Sequence, residues 1–349
     1  MGGKMGNLFE SLPIIDHHED VSSYFLYPGE GGAPYGNFGE DIPGREADIP
    51  KYKRGKVRCV FSAIFPGIET FRPEESKELE KIYGKWLPAT GYRVPQALLW
   101  EHVSIYYKLS DAYKIKIVER VEDVESCIKE ERLCFVLHLE GAEALDEPYD
   151  LVLLKKIGLR SIGITWNYVN KYGTGCGAKK DTGLSEMGEE LVKMANRLGI
   201  IVDLAHASKK TSVEAIEISK RPVMISHANV RKLIDRSRNV DDELLELLHK
   251  NGGILGFSVI GPLISNRPRP TLDELVDHVM YVYENYGAEN IAIGTDFLGL
   301  MGLPSPEGLE SVDKLPNLLE KLAEKGMNDS DVRKVAYENS LRLMRNNFV

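Results

Sequence analysis

Apolar residues in this chain fall in short, nearly unbroken runs closed by polar or turn-forming residues, and longer stretches of helical period separate the runs. Eight runs read as strands. They are 12–20 (LPIIDHHED), 56–65 (KVRCVFSAIF), 133–141 (LCFVLHLEG), 161–167 (SIGITWN), 200–208 (IIVDLAHAS), 222–229 (PVMISHAN), 252–260 (GGILGFSVI) and 291–297 (IAIGTDF). A strand with one wet face alternates apolar and polar residues, whereas unbroken runs suit parallel strands covered on both faces. The intervening stretches are amphipathic. In 185–198, Ser185 is a natural N-cap, Met187, Leu191, Met194 and Leu198 form one stripe, and Gly199 supplies the stop. Stretches 241–250, 272–286 and 315–325 read the same way.

Strand and helix alternating eight times predict an α/β fold, a (β/α)8 TIM barrel with extra helices. Segment 66–132 is too long for one crossover and is expected to hold two or three helices, and 28–50, rich in Gly and Pro, is expected to be a loop. With no repeats or low-complexity tracts, residues 1–349 are expected to form a single barrel domain. The rival is an open doubly wound sheet, but no phosphate-binding glycine fingerprint is present.

In such a barrel chemistry sits at the carboxyl ends of the strands, and the apolar runs end in groups that bind metals. His18, Asp20, Glu140, His206, His227 and Asp296 all lie there. Burying such groups unpaired costs several kcal/mol, ~2–7 for a neutral polar group alone. His18 and Asp20, two residues apart, share a strand face and can bind one divalent ion. His206 and His227 end the fifth and sixth strands, which are barrel neighbours, and can converge on a second. Glu140 can bridge the two. Imidazole and carboxylate donors suit zinc, with manganese or cobalt as substitutes, and two ions can share a nucleophilic hydroxide. Asp296, ending the last strand, reads either as the proton carrier for that water or as a partner orienting a histidine. His138 shares a face with Glu140 deeper in the barrel and reads as a supporting residue. His102, His249 and His278 fall in helices and are expected to stand outside the chemistry. Arg236 and Arg238 precede a helix, where an arginine can bind a substrate carboxylate or form a surface ion pair.

Composition narrows the partners. The chain has 349 residues, 43% hydrophobic and 28% charged, with a net charge of −9. That balance argues against a nucleic-acid partner, which needs a clustered basic face. Four cysteines without CxxC spacing are expected to be reduced and structural. No secretory or myristoylation pattern is seen, and no apolar stretch approaches the ~18 residues that cross a bilayer. A soluble cytoplasmic protein without a membrane partner is expected.

Taken together, IIDHHED, LEGAEAL, GLSEMGEELVKMANRLGIIVDLAHAS, the stretch from SHANV to SRNVDDELL, GTDFLGL and ENSLRLM resemble the membrane (renal) dipeptidase family of zinc peptidases, within the amidohydrolase-like metal barrels. Most amidohydrolase barrels bridge their metals with a carboxylated lysine on strand four. None occurs in SIGITWN, and a strand-three glutamate takes its place, as in the dipeptidase branch. The resemblance implies two zinc ions, one held by His18 and Asp20, the other by His206 and His227, with Glu140 between them. It implies Asp296 as catalytic acid/base, Arg238 as the anchor for a dipeptide's C-terminal carboxylate, dipeptide substrates, and a homodimer. Two departures stand out. His17 replaces a glycine of the family's first motif, and Trp166 stands where the renal enzyme has a substrate-binding histidine, leaving Asn167, Tyr168 or Asn170 to supply a donor. Trp166 keeps an N-acyl amino acid amidase, a lactonase or another metal-dependent amidohydrolase open as alternatives, with a non-catalytic metal-binding barrel as a third reading.

Overall fold

Eight parallel strands close on themselves in the computed structural model, which describes residues 9–26, 36–66 and 93–349. They are β1 (Ile14–Glu19), β2 (Val57–Ile64), β3 (Cys134–Leu139), β4 (Leu159–Gly163), β5 (Ile201–Asp203), β6 (Met224–Ala228), β7 (Ile254–Phe257) and β8 (Ile291–Ile293). Each pairs in parallel with the next, and β8 returns to β1 through Asp16 and Ile293, so the barrel has no open edge. A two-residue strand, Lys116–Ile117, lies outside the ring against β3. Every residue of the eight strands is buried, as continuous apolar runs require.

The helices form at their expected places because their caps are encoded locally. Glu186–Leu198 starts where Ser185 Oγ accepts from the Gly188 backbone N–H, and it stops at Gly199, whose φ of 68° lies in the left-handed region. Leu272–Tyr286 opens with a capping box of Thr271 and Glu274. Asp241 caps Asp242–Asn251. Between β2 and β3 the described residues hold helices Arg93–Tyr113 and Val121–Lys129, while 67–92 lie outside them. Of the expected glycine-rich loop, 36–48 are irregular, 27–35 lie outside the described residues, and its last residues enter helix Ile49–Arg54.

The core has two parts. Leu137, Ile162, Val202 and Ile225 belong to one large cluster with Leu151, Leu191, Ala215 and Leu245 of the surrounding helices. A second joins residues near the strand starts, among them Ile15, Cys59, Val136, Ile201, Met224 and Ile254, to Leu341, Leu343 and Met344 of the terminal helix. That helix closes the barrel floor. His17 belongs with the floor, its ring stacked on Phe61 at 4.4 Å and Nε2 2.7 Å from Ser340 Oγ. Among the described residues all four cysteines are free thiols, and no helix is long and apolar enough to cross a membrane.

Candidate metal centre

The strands' carboxyl ends carry the polar groups. His18 is in β1 and Asp20 just past it. Glu140 follows β3, His206 sits in the turn after β5, His227 is in β6, and Asp296 lies three residues past β8. All six are buried. The ends of β1 and β8 are stitched together by Asp16. Its Oδ1 accepts from the backbone N–H groups of His18 (3.2 Å) and Thr295 (2.9 Å), and Oδ2 accepts from the Thr295 hydroxyl (2.6 Å). Asp296 then adopts a left-handed φ of 68°, a conformation costing a non-glycine residue ~1–2 kcal/mol, and its backbone N–H donates to the His18 carbonyl at 2.9 Å. Gly299 gives the two acids room. A Cβ there would lie 2.2 Å from Asp20 Oδ2 and 2.6 Å from Asp296 Oδ1.

Hydrogen-bond direction decides what this cluster wants. His206 Nδ1 lies 2.8 Å from Asn167 Oδ1, which only accepts, so Nδ1 carries the proton and Nε2 a lone pair. Ser226 Oγ lies 2.6 Å from Asp203 Oδ2 and 2.8 Å from His227 Nδ1. Its single proton goes to the carboxylate, so His227 Nδ1 donates and its Nε2 also presents a lone pair. These two Nε2 atoms are 3.0 Å apart, and Glu140 Oε1 lies 2.8 Å from one and 3.6 Å from the other. Three acceptor atoms converge here in a dry place; Arg238 Nη2 answers His206 Nε2 at 3.1 Å, and a divalent cation among them would satisfy all three. His18 repeats the signal. Among the described residues neither nitrogen of its buried ring finds a hydrogen-bond partner, and Nε2 is 3.4 Å from Asp20 Oδ2, 3.6 Å from Glu140 Oε1 and 3.8 Å from Asp296 Oδ1.

Donors bonded to zinc at about 2.0–2.2 Å fall about 3.0–3.6 Å from one another. His18 with Asp20 and Glu140, and Glu140 with His206 and His227, each offer donor atoms within 4.8 Å of one another. Asp296 reaches His18 and His227, its Oδ2 3.7 Å from His227 Nε2. The residues present fit divalent metal.

Electrostatics agree with that reading. Burial opposes a charge on His18, but Glu140, Asp296 and Asp20 outweigh it and hold the imidazole up at about 10. Burial raises Glu140 well above the usual carboxylate range and, with Asp20 beside it, pushes Asp296 up to about 7. Burial pushes His206 and His227 down, with Arg238 and His18 adding to the effect.

The other expected residues are also near. Arg238 is half-buried, with Nη2 3.1 Å from His206 Nε2 and Nη1 bonded to the Ala205 carbonyl. Arg236 is exposed and bonds the Pro262 carbonyl and Asn266. Strand β4 ends at Gly163, so Trp166 and Asn167 lie in the following loop rather than in the strand. Trp166 stacks on His206 at 5.6 Å and meets Phe65 and Tyr168 at 5.4 and 5.6 Å, an aromatic wall beside the centre. Asn167 Oδ1 is engaged by His206 and by the Cys176 thiol. His138 packs edge-on to His18 and approaches Asp203 at 3.3 Å, the supporting place expected for it. His249 bonds Asn290, and His278 bonds the Val230 N–H and the Ile264 carbonyl, both away from the centre. His102, expected to stand outside, is buried at Ser22 and close enough to Asp20 for their charges to interact. Sequence reasoning passed over Asp16, Asp203, Ser226 and Gly299. The signal for Asp203 was a carboxylate inside the apolar run IIVDL.

The family model for membrane dipeptidases (peptidase family M19) matches residues 3–348. The chain belongs to this family. As a dipeptidase-family member it is a metal-dependent hydrolase of peptide bonds. Dipeptidase verJ of Clonostachys rogersoniana is 28% identical over 350 residues, covering 97% of this chain and 84% of that one. The probable dipeptidase PvdM of Pseudomonas aeruginosa has the same fold, with a TM-score of 0.85 at 20% identity over 98% of this chain and 96% of that one. So has a metallo peptidase of Rhodobacter sphaeroides, solved with a phosphinate mimic of the dipeptide L-Ala-D-Ala, with a TM-score of 0.81 at 22% identity over 96% and 99% of the two chains.

Proposed function

We propose that this dipeptidase cleaves dipeptides, including those ending in a D-residue, at a centre of two zinc ions. His18 and Asp20 would hold one ion and His206 and His227 the other, with Glu140 shared. The observation that carries the reading is the convergence of the His206 and His227 Nε2 lone pairs on Glu140 Oε1, both Nδ1 protons being committed elsewhere. Divalent ions held there would supply Lewis-acid polarisation of the scissile carbonyl and a water made nucleophilic at neutral pH.

The chain's own residues supply the rest. A dipeptide presents its free carboxylate one residue from the scissile bond. Arg238, beside His206, takes that carboxylate in a two-pronged contact and so fixes the distance to the reacting carbonyl. Asp296, 3.8 Å from His18 Nε2 and 3.7 Å from His227 Nε2, is placed to accept a proton from the attacking water and return it to the departing amine. The Trp166 wall borders the site with apolar surface. Acceptance of a C-terminal D-residue is supported by the ligand of the Rhodobacter sphaeroides relative in fold.

Zinc-reconstituted protein should release amino acids from a panel of L,L and L,D dipeptides and lose the activity to a chelator. Inactivity on the whole panel with both metals bound would defeat the proposal. N-acyl amino acids cleaved in preference would point to the amidase alternative that the aromatic wall also suits.

A further inference from the structure

One buried carboxylate lies behind the His227 side of the centre. Asp203, at the end of β5, accepts from the backbone N–H groups of Ser226 (2.8 Å) and Ala205 (3.1 Å) at Oδ1. At Oδ2 it meets the Ser226 hydroxyl at 2.6 Å and His138 Nε2 at 3.3 Å. We propose that Asp203 is a positioning residue that fixes the tautomer of His227 through Ser226. The inference rests on the metal reading above. Asp203 touches neither ion nor substrate. By claiming the Ser226 proton it obliges the hydroxyl oxygen to accept from His227 Nδ1, and that leaves Nε2 free as a donor atom.

The amide isostere makes the idea testable. In Asp203→Asn the two backbone N–H groups hold the amide oxygen where Oδ1 now sits, since turning the amide over would set its NH2 against both donors. The NH2 then faces Ser226 Oγ, which must send its proton to His227 Nδ1. His227 is forced into the Nε2–H form, which cannot ligate. Ser226→Ala removes the relay without imposing the wrong tautomer. Divalent-ion affinity at the His206/His227 site should therefore fall about 100-fold in Asp203→Asn and about tenfold in Ser226→Ala. The double variant should recover to the Ser226→Ala level, an outcome that loss of packing would not produce.

Two readouts separate this inference from the metal reading. Imidazole nitrogen–proton correlations of metal-free, nitrogen-15 histidine-labelled protein should show His227 as Nδ1–H in the wild type and Nε2–H in Asp203→Asn. Zinc content after dialysis against a weak chelator should be two per wild-type chain and one in the variant. A wild-type His227 found as Nε2–H overturns the inference without any variant having to fold. Equal zinc content and tautomer in wild type and Asp203→Asn overturn it too, while the metal reading survives. A wild type that takes up no divalent ion defeats both.

Discussion

Substituting alanine for Gly299 isolates the placement of the two acids from every other property of the site. The glycine has no left-handed φ, so the backbone tolerates a side chain and the consequence is steric. The new methyl would lie 2.2 Å from Asp20 Oδ2 and 2.6 Å from Asp296 Oδ1, against 3.4 Å for an ordinary contact. Each carboxylate must withdraw by about 1 Å. Neither can do so freely. Asp20 Oδ1 accepts from the Ser23 hydroxyl at 3.1 Å and its backbone N–H donates to the Phe297 carbonyl at 2.9 Å, while Asp296 is tied to the His18 carbonyl. Displacing reacting groups by about 1 Å costs about 100-fold in rate. The overpacking itself costs about 1–3 kcal/mol, lowering Tm by several degrees without unfolding the barrel. Steady-state kinetics on a cleaved dipeptide, with zinc content and Tm measured on the same preparation, check this. A Gly299→Ala variant with wild-type kcat/KM and full zinc would show that Asp20 and Asp296 do not flank this residue in the working enzyme.

Arg238→Ala should lower kcat/KM by about 10–100-fold, mainly through KM, because a charge-assisted hydrogen bond contributes about 1.5–3 kcal/mol. Arg238→Lys should restore only part of it, and an unchanged kcat/KM would remove Arg238 from the site. Asn167→Ala, which deprives His206 Nδ1 of its acceptor, should weaken zinc binding about 10–100-fold yet keep kcat at saturating zinc, as read by chelator competition. Because its neighbours hold the His18 imidazole up at about 10, the metal-free ring carries a proton at neutral pH that an incoming ion must displace. Zinc affinity at the His18 site should therefore rise with pH up to about 10, and binding there should release a proton to buffer, as calorimetry in buffers of different ionisation enthalpy would show. Affinity flat from about pH 6 to 9 would refute it.

The barrel was legible because each strand is a run of residues that can only be buried on both faces, and all eight runs hold a strand. Their ends were less so. The run 200–208 is continuous in sequence, yet β5 covers only Ile201–Asp203, because the Asp203 carboxylate takes the Ala205 N–H and turns the chain before His206. Strand four begins earlier than its apolar run suggests, at Leu159, because Arg160 hides the start. Its guanidinium bonds the Glu119, Lys155 and Leu159 carbonyls, satisfying a charge that pattern reasoning places in solvent.

The candidate site divides along a similar line. His18, Asp20, Glu140, His206, His227 and Asp296 were legible because groups of that kind are too costly to bury without a shared partner. Asn167 and Ser226 carry no such cost and resemble any loop amide or strand hydroxyl. What they contribute is the destination of a proton, which depends on atoms brought together from β6, the end of β5 and the segments that follow β4 and β5, and leaves no mark on local pattern. Asp203 belongs to both classes. Its charge in an apolar run could have been noticed, but its effect could not be named until the Ser226 hydroxyl stood between it and His227. A donor list read from sequence therefore says which atoms could surround a metal, while the acceptors behind the imidazoles decide whether those atoms arrive with lone pairs.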